Sequence, residues 1–301
     1  AWRARGRQLI QNASSTTNMH LRATASRAAT LLAKNPVLFC RVTLGKLATA
    51  RPMPALPARR KIGEVNFECD LAGYRGTAPM YFGSYAPLVV ATMEKFLRAG
   101  DVIFDVGANV GYLSAVAANL VGRQGEVHAF EPVPEYFARL RHLAEMNPRH
   151  AIYCNPCAAG DTAGSAEIFL THEAGQSTLV PGYKTPTEIT GRCEVPVVRL
   201  DRYAAERGIS RIAMIKIDAE GFELPILRGL EDYFTQSAHR PAIICEIAPR
   251  AYRLSGASPA DLGAYMARFG YATFDLVDGR TRVDIAALSH VEDVLFLATN
   301  P

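Results

Sequence analysis
The chain has 301 residues, 49% of them hydrophobic and 21% charged, with a formal net charge of +4. That is an ordinary globular composition, long enough for one large core or two domains. No apolar run approaches the ~18 residues of a membrane span, and the N-terminus lacks the apolar block of a secretory signal, so a cytoplasmic protein is expected.

The six cysteines (Cys40, Cys69, Cys154, Cys157, Cys193, Cys245) are scattered among apolar neighbours, which fits reduced core thiols better than a disulfide framework. Cys154-Asn-Pro-Cys157 has neither a second pair nor a helix start behind it, and no redox or zinc role is assigned.

Charge is unevenly distributed. Residues 1–61 hold 12 Lys/Arg and no Asp or Glu, which leaves 62–301 with a net charge of −8. A helical stretch is expected from about Leu21 to Ala50, followed by a proline-rich linker at Pro52, Pro54 and Pro57. The chain therefore divides into a basic helical and linker extension, 1–61, and a folded domain, 62–301. The arm reads as a cap on the acidic body. The alternatives are peripheral contact with an anionic membrane or another polyanion, and an organellar targeting segment. The aromatic interleaving of a nucleic-acid reader is absent, so no specific nucleic-acid partner is expected.

In chain order, "EVNFECDL" alternates as a short strand and Tyr85 to Leu97 is helical. Then come strand 102–106, helix 110–121, strand 126–130, helix 134–146 and strand 151–154. An insertion of short strands and loop fills 165–199. Strand 212–217, helix 223–230, strand 242–247, helix 259–269 and strands near 271–276 and 292–298 complete the domain. This rhythm predicts an α/β fold, a mostly parallel doubly wound sheet with helices on both faces.

Four apolar runs end on acids: "VIFD" on Asp105, "VHAFE" on Glu131, "MIKID" on Asp218 and "AIICE" on Glu246. A central strand covered on both faces has no room for unpaired charge, so these acids are expected just beyond the strands' carboxyl ends, lining a cleft. In "DVGANVG", Gly107 turns the chain out of the strand, Gly111 lets the next helix pack close, and the helix start favours an anionic group. Asn109 stands mid-loop, where the close backbone approach of a dinucleotide site would need glycine, which disfavours a nicotinamide oxidoreductase. Asp105 suits a ligand with an amino group, and Glu131 is placed to accept from both ribose hydroxyls. A nucleoside joined to an amino acid meets these demands, and S-adenosylmethionine is such a molecule.

"DVGANVGYLSAVAANLVGRQGEVHAFEPVPEYFARLRHLAEMN", "LDRYAAERGISRIAMIKIDAEGFELPILRGL" and "RPAIICEI" together resemble the FkbM family of class I S-adenosylmethionine-dependent methyltransferases. The resemblance runs from about Phe82 to Glu246 and more weakly beyond. It implies a seven-stranded Rossmann-like sheet whose last strand is antiparallel, and transfer to a small-molecule or glycan acceptor, most often a hydroxyl. It also brings Ala108 into the cofactor loop, and Pro132 and Ala158 are placed to flank the adenine or ribose. Where the family often carries an acid after the tyrosine of "GSYAP", this chain has Ala86.

In an extended chain, Lys216, Asp218 and Glu220 of "KIDAEG" would point the same way. Three charges cannot share one face of a central strand, so at least Asp218 and Glu220 are expected in the cleft. Asp218 is the first choice for base or acceptor orientation, Glu220 the second, and Lys216 a charge partner. No metal is assigned; the alternative is a divalent ion held by Asp218, Glu220 and Glu246. The long polar segment Thr171 to Arg192 supplies His172, Ser177 and Lys184 as acceptor contacts, with Glu246 on the same side. An O-methyltransferase leads, ahead of a catalytically silent cofactor-binding or membrane-associated scaffold.

Overall fold
The computed structural model describes residues 56–71, 77–171 and 175–299, with a few helical positions between 32 and 43. Most of the helix expected over 21–50 therefore lies outside the described residues.

Strands β1 (Pro57–Ile62) and β2 (Val65–Asp70) form an antiparallel hairpin. β1 occupies residues read as linker and crosses the boundary expected at 61/62. Its first residue is the proline, where no ladder hydrogen bond is lost. Arg60 sits at an inward position because its guanidinium donates to the carbonyl oxygens of Met80 (2.9 Å) and Tyr81 (2.7 Å). Val65, Phe67 and Cys69 of β2 are buried in the main core.

Helices α1 (Thr77–Phe82) and α2 (Pro87–Phe96) lead into β3 (Val102–Val106), α3 (Tyr112–Val121), β4 (Glu126–Phe130), α4 (Pro134–Met146) and β5 (Ala151–Asn155). A two-residue β6 (Ala158–Ala159) then joins β7 (Gly164–Thr171) and β8 (Ile189–Val198) in a separate three-stranded sheet. Short strands were expected here, yet β7 and β8 run for 8 and 10 residues. Only their inner residues, such as Ile168, Val195 and Val197, are buried against Val133, Tyr136 and Ala158, so the apolar signal is sparse.

The chain continues through α5 (Leu200–Glu206), β9 (Met214–Ile217), α6 (Glu223–Arg228), α7 (Glu231–Gln236), β10 (Ala242–Ile247), α8 (Pro249–Leu254), α9 (Pro259–Ala267), β11 (Tyr271–Asp275) and β12 (Glu292–Ala298). α9 opens with a capping box between Ser258 and Asp261 and a proline in its first turn.

The main sheet has the strand order β11-β12-β10-β9-β3-β4-β5. β12 is antiparallel to both neighbours and the remaining pairs are parallel. Successive strand residues serve opposite layers: Ile103 and Ile244 pack on the face with α2 and α3, Phe104 and Ile243 on the face with α6 and α7. Both faces are covered, which is why these strands read as continuous apolar runs. Among the described residues, no helix is long and apolar enough to cross a membrane.

Candidate functional site
The chain leaves β3 toward β4 on one side of the sheet, and β9 toward β10 on the other. At such a switch point the loops after two adjacent strands diverge and open a crevice at their carboxyl ends. A cavity of about 390 Å³ lies there, within the range of small-ligand sites.

The loop after β3 forms one wall. Gly107 adopts φ 75°, and a Cβ there would run into the Asp218 carbonyl oxygen, so both its conformation and its close approach require glycine. Asn109 is also left-handed, at φ 52°, which Asn tolerates better than most residues. Its N–H donates to Glu131 Oε2 (2.7 Å), and the Val133 N–H donates to Glu131 Oε1 (2.8 Å). Two backbone donors thus fix the Glu131 carboxylate just past β4. Burial raises its pKa to about 7 despite those bonds. Gly107, Ala108, Asn109, Glu131, Pro132 and Ala158, read from the sequence as cofactor contacts, all border the cavity.

Asp105 and Gly111 do not border it. Asp105 was expected beyond its strand, but it lies inside β3 and is fully buried. The Ser114 hydroxyl donates to its Oδ2 (2.6 Å), and Lys216 Nζ stands 3.5 Å from its Oδ1. A pairing cation therefore lets a central strand carry the charge, and Asp105 supports the loop from beneath. Glu246 likewise falls within β10, one residue before its end. Gly111, at φ 85°, leaves room for Leu140 and Leu143 of α4, the close helix packing read from the sequence.

The acids form an adjoining wall. Lys216 is buried inside β9; its ammonium donates to the Gly107 carbonyl (2.9 Å) and lies 3.5 Å from Asp218 Oδ2. Burial alone would lower its pKa, but Asp218 and Asp105 more than offset that and hold it raised. Asp218 and Glu220 leave the strand and border the cavity with Glu246. The extended geometry expected for 216–220 does not continue, since Glu220 turns to φ 50°. The three carboxylates still converge, with one oxygen of each within 4.8 Å of the others. Burial, then Asp218 and Glu220, raises the Glu246 pKa well above the ordinary carboxylate range.

The β7–β8 connection closes over this wall. Thr178 Oγ1 donates to the Glu220 carbonyl (2.8 Å), and Lys184 Nζ donates to Glu220 Oε2 (3.0 Å). Lys184 was expected as an acceptor contact; it instead ties the insertion to Glu220 and does not border the cavity. Ser177 does border it, with its Oγ closed to solvent and unbonded among the described residues. His172 lies outside the described residues.

Tyr85 and Tyr136 also border the cavity and were not named as site residues. Tyr136 follows E-P-V-P one turn into α4, so its position after Glu131 was the available signal. Glu223 was missed as well. It is fully buried below the acids, its Oε1 accepts from the Gly221 N–H (2.8 Å), and burial raises its pKa to about 7.

A seven-stranded sheet with one antiparallel strand and a cleft at its switch point is the class I, Rossmann-like architecture, and the family to which the chain belongs makes it that of a methyltransferase. S-adenosylmethionine is the methyl donor of that class. The chain belongs to the family described as the methyltransferase FkbM domain, whose model matches residues 105–273. It is 36% identical over 165 residues to the 31-O-demethyl-FK506 methyltransferase FkbM of Streptomyces tacrolimicus, covering 45% of this chain and 62% of that protein. It is 28% identical over 142 residues to the hexuronic acid methyltransferase AglP of Haloferax volcanii, covering 47% of this chain and 55% of the relative. The match thus spans somewhat over half the length of these relatives. A crystal structure of methyltransferase FkbM from Methylobacillus flagellatus KT aligns with a TM-score of 0.40 and 17% identity, over 73% of this chain and 54% of that one.

Proposed function
We propose that this chain is an S-adenosylmethionine-dependent O-methyltransferase acting on a hydroxyl of a small molecule or glycan. The observation that carries the reading is the cavity's two chemically different walls: an immobilised Glu131 with the glycine loop on one side, and three convergent carboxylates on the other.

The residues fit the cofactor. Asn109 Oδ1 borders the cavity beside the Glu131 carboxylate, closed to solvent and without a hydrogen-bond partner among the described residues. A ligand carrying hydroxyl and ammonium donors and a net positive charge would meet such acceptors. Glu131 would hold the ribose, the 107–109 loop the amino-acid portion, and Pro132 and Ala158 the base. When bound, S-adenosylmethionine supplies an electrophilic methyl that passes to the acceptor oxygen as the S–C bond breaks and its electron pair stays on sulfur.

The hydroxyl proton must go to the protein. Asp218 is held by Lys216, is partly open to the cavity, and is the group assigned to orient the hydroxyl and receive that proton. Buried apolar neighbours such as Val106 and Phe130 exclude water around the transfer. The name of the Streptomyces relative, whose substrate is an O-demethyl compound, supports an oxygen acceptor, and that of the Haloferax relative supports a sugar-acid acceptor.

The test is Asp218→Asn, which keeps shape and removes charge. Affinity for S-adenosylmethionine should be nearly unchanged, while single-turnover methyl transfer should fall by about a hundredfold or more. Full turnover in the variant would make Asp218 structural. A wild type that binds cofactor and methylates nothing in an acceptor screen would instead be a scaffold.

A further inference from the structure
The acid wall carries more negative charge than its lysines balance. Asp218, Glu220 and Glu246 converge at the acceptor side, with Glu223 buried behind them. Lys216 is shared between Asp105 and Asp218, and Lys184 reaches Glu220. Neither reaches Glu246, whose Oε2 is closed to solvent and has no hydrogen-bond partner among the described residues. A carboxylate that approaches two others while one of its own oxygens is buried without a partner calls for a compensating cation or proton.

The spacing fits a cation. Ligand oxygens on opposite sides of a hard divalent ion, each about 2.0–2.6 Å from it, are separated by roughly 4–5 Å. One oxygen from each of the three acids lies within 4.8 Å of the other two. Two strand ends of the rigid sheet position Asp218 and Glu246. Glu220 is turned inward by its left-handed backbone, which Thr178 pins from the insertion. Lys184 holds Glu220 through Oε2, and a carboxylate has a second oxygen free for a metal.

We propose that Asp218, Glu220 and Glu246 bind one hard divalent cation, Mg²⁺ or Mn²⁺, facing the acceptor. The ion's role toward the acceptor rests on the methyl-transfer reading, whereas its binding by the three acids is measured independently of it. With the ion in place, the three carboxylates orient the hydroxyl through the metal and lower its pKa. Asp218→Asn then reduces turnover in the same way as loss of a direct contact, so only metal binding separates the two.

The experiment titrates the chelator-stripped chain with Mn²⁺ and reads free Mn²⁺ by electron paramagnetic resonance, with Mg²⁺ as competitor. One saturable site per chain is expected, weakened at least tenfold in both Glu246→Gln and Asp218→Asn. The exposed-surface variant Glu206→Gln should match wild type. S-adenosylhomocysteine binding by each variant establishes that its cleft is folded, and Asp218→Asn decides the matter if Glu246→Gln is not folded. Absence of a saturable site, or a site unchanged in a folded acid variant, overturns the proposal. Loss of the metal site with cofactor binding intact leaves the methyltransferase reading standing; metal binding without cofactor binding does the reverse.

Discussion

At the scale of single residues, the cleft depends on how each carboxylate is compensated. Glu131 has a backbone donor on each oxygen and keeps further acceptor capacity toward the cavity. Glu131→Ala should weaken S-adenosylhomocysteine binding by ~2–3 kcal/mol with the fold intact; unchanged affinity by calorimetry would remove Glu131 from the site. The residue types were legible because a strand that ends on an acid has few structural reasons to do so. Partner assignments were not. Nothing local in "VIFDV" marks Asp105 as paired to Ser114 and Lys216, since that pairing arises only when β3 and β9 lie side by side. Lys184 was read as facing the acceptor for the same reason: its partner Glu220 is 36 residues away.

At the scale of elements, the regular strands and long helices follow from strong periodicity, whereas most short pieces other than α6 escaped. α5, α7 and α8 have 7, 6 and 6 residues, too few to establish a helical period. β1 escaped because its inward positions are Ala58, Arg60 and Ile62, with a cation where an apolar residue would announce a strand. Its role is measurable. A chain starting at residue 56 keeps the hairpin, whereas one starting at 64 removes β1 and leaves the backbone edge of β2 unpaired. The shorter chain should melt about 5 °C lower; equal melting temperatures in calorimetry would show that β1 contributes nothing to the fold.

At the scale of the whole molecule, the mostly parallel sheet and the cleft's location were legible, because sheet topology restricts where ligands bind, while the antiparallel strand followed only from the family resemblance. The size of the β7–β8 sheet was not. The structure also gives the cofactor-free protein a pH signature. Glu131 and Glu223 have folded-state pKa values of about 7, above the ordinary value of 4.5. The folded state therefore holds protons that the unfolded chain gives up between those values. The stability they contribute is complete below pH 4.5 and is lost as pH rises through 7, on the order of 3 kcal/mol per group. Glu223→Gln, neutral at every pH, should flatten the decline in melting temperature between pH 5.5 and 8. An equally steep decline in that variant would mean Glu223 does not bind the proton.

The contact between Gly107 and the Asp218 carbonyl joins the loops after β3 and β9 where both border the cavity. In evolutionary terms it links stretches of the gene more than a hundred codons apart. A side chain gained at 107 would occupy space already taken by the main chain at 218, and the acid loop would have to be re-routed to admit it. The glycine of the first loop and the path of the acid loop are therefore constrained to change together.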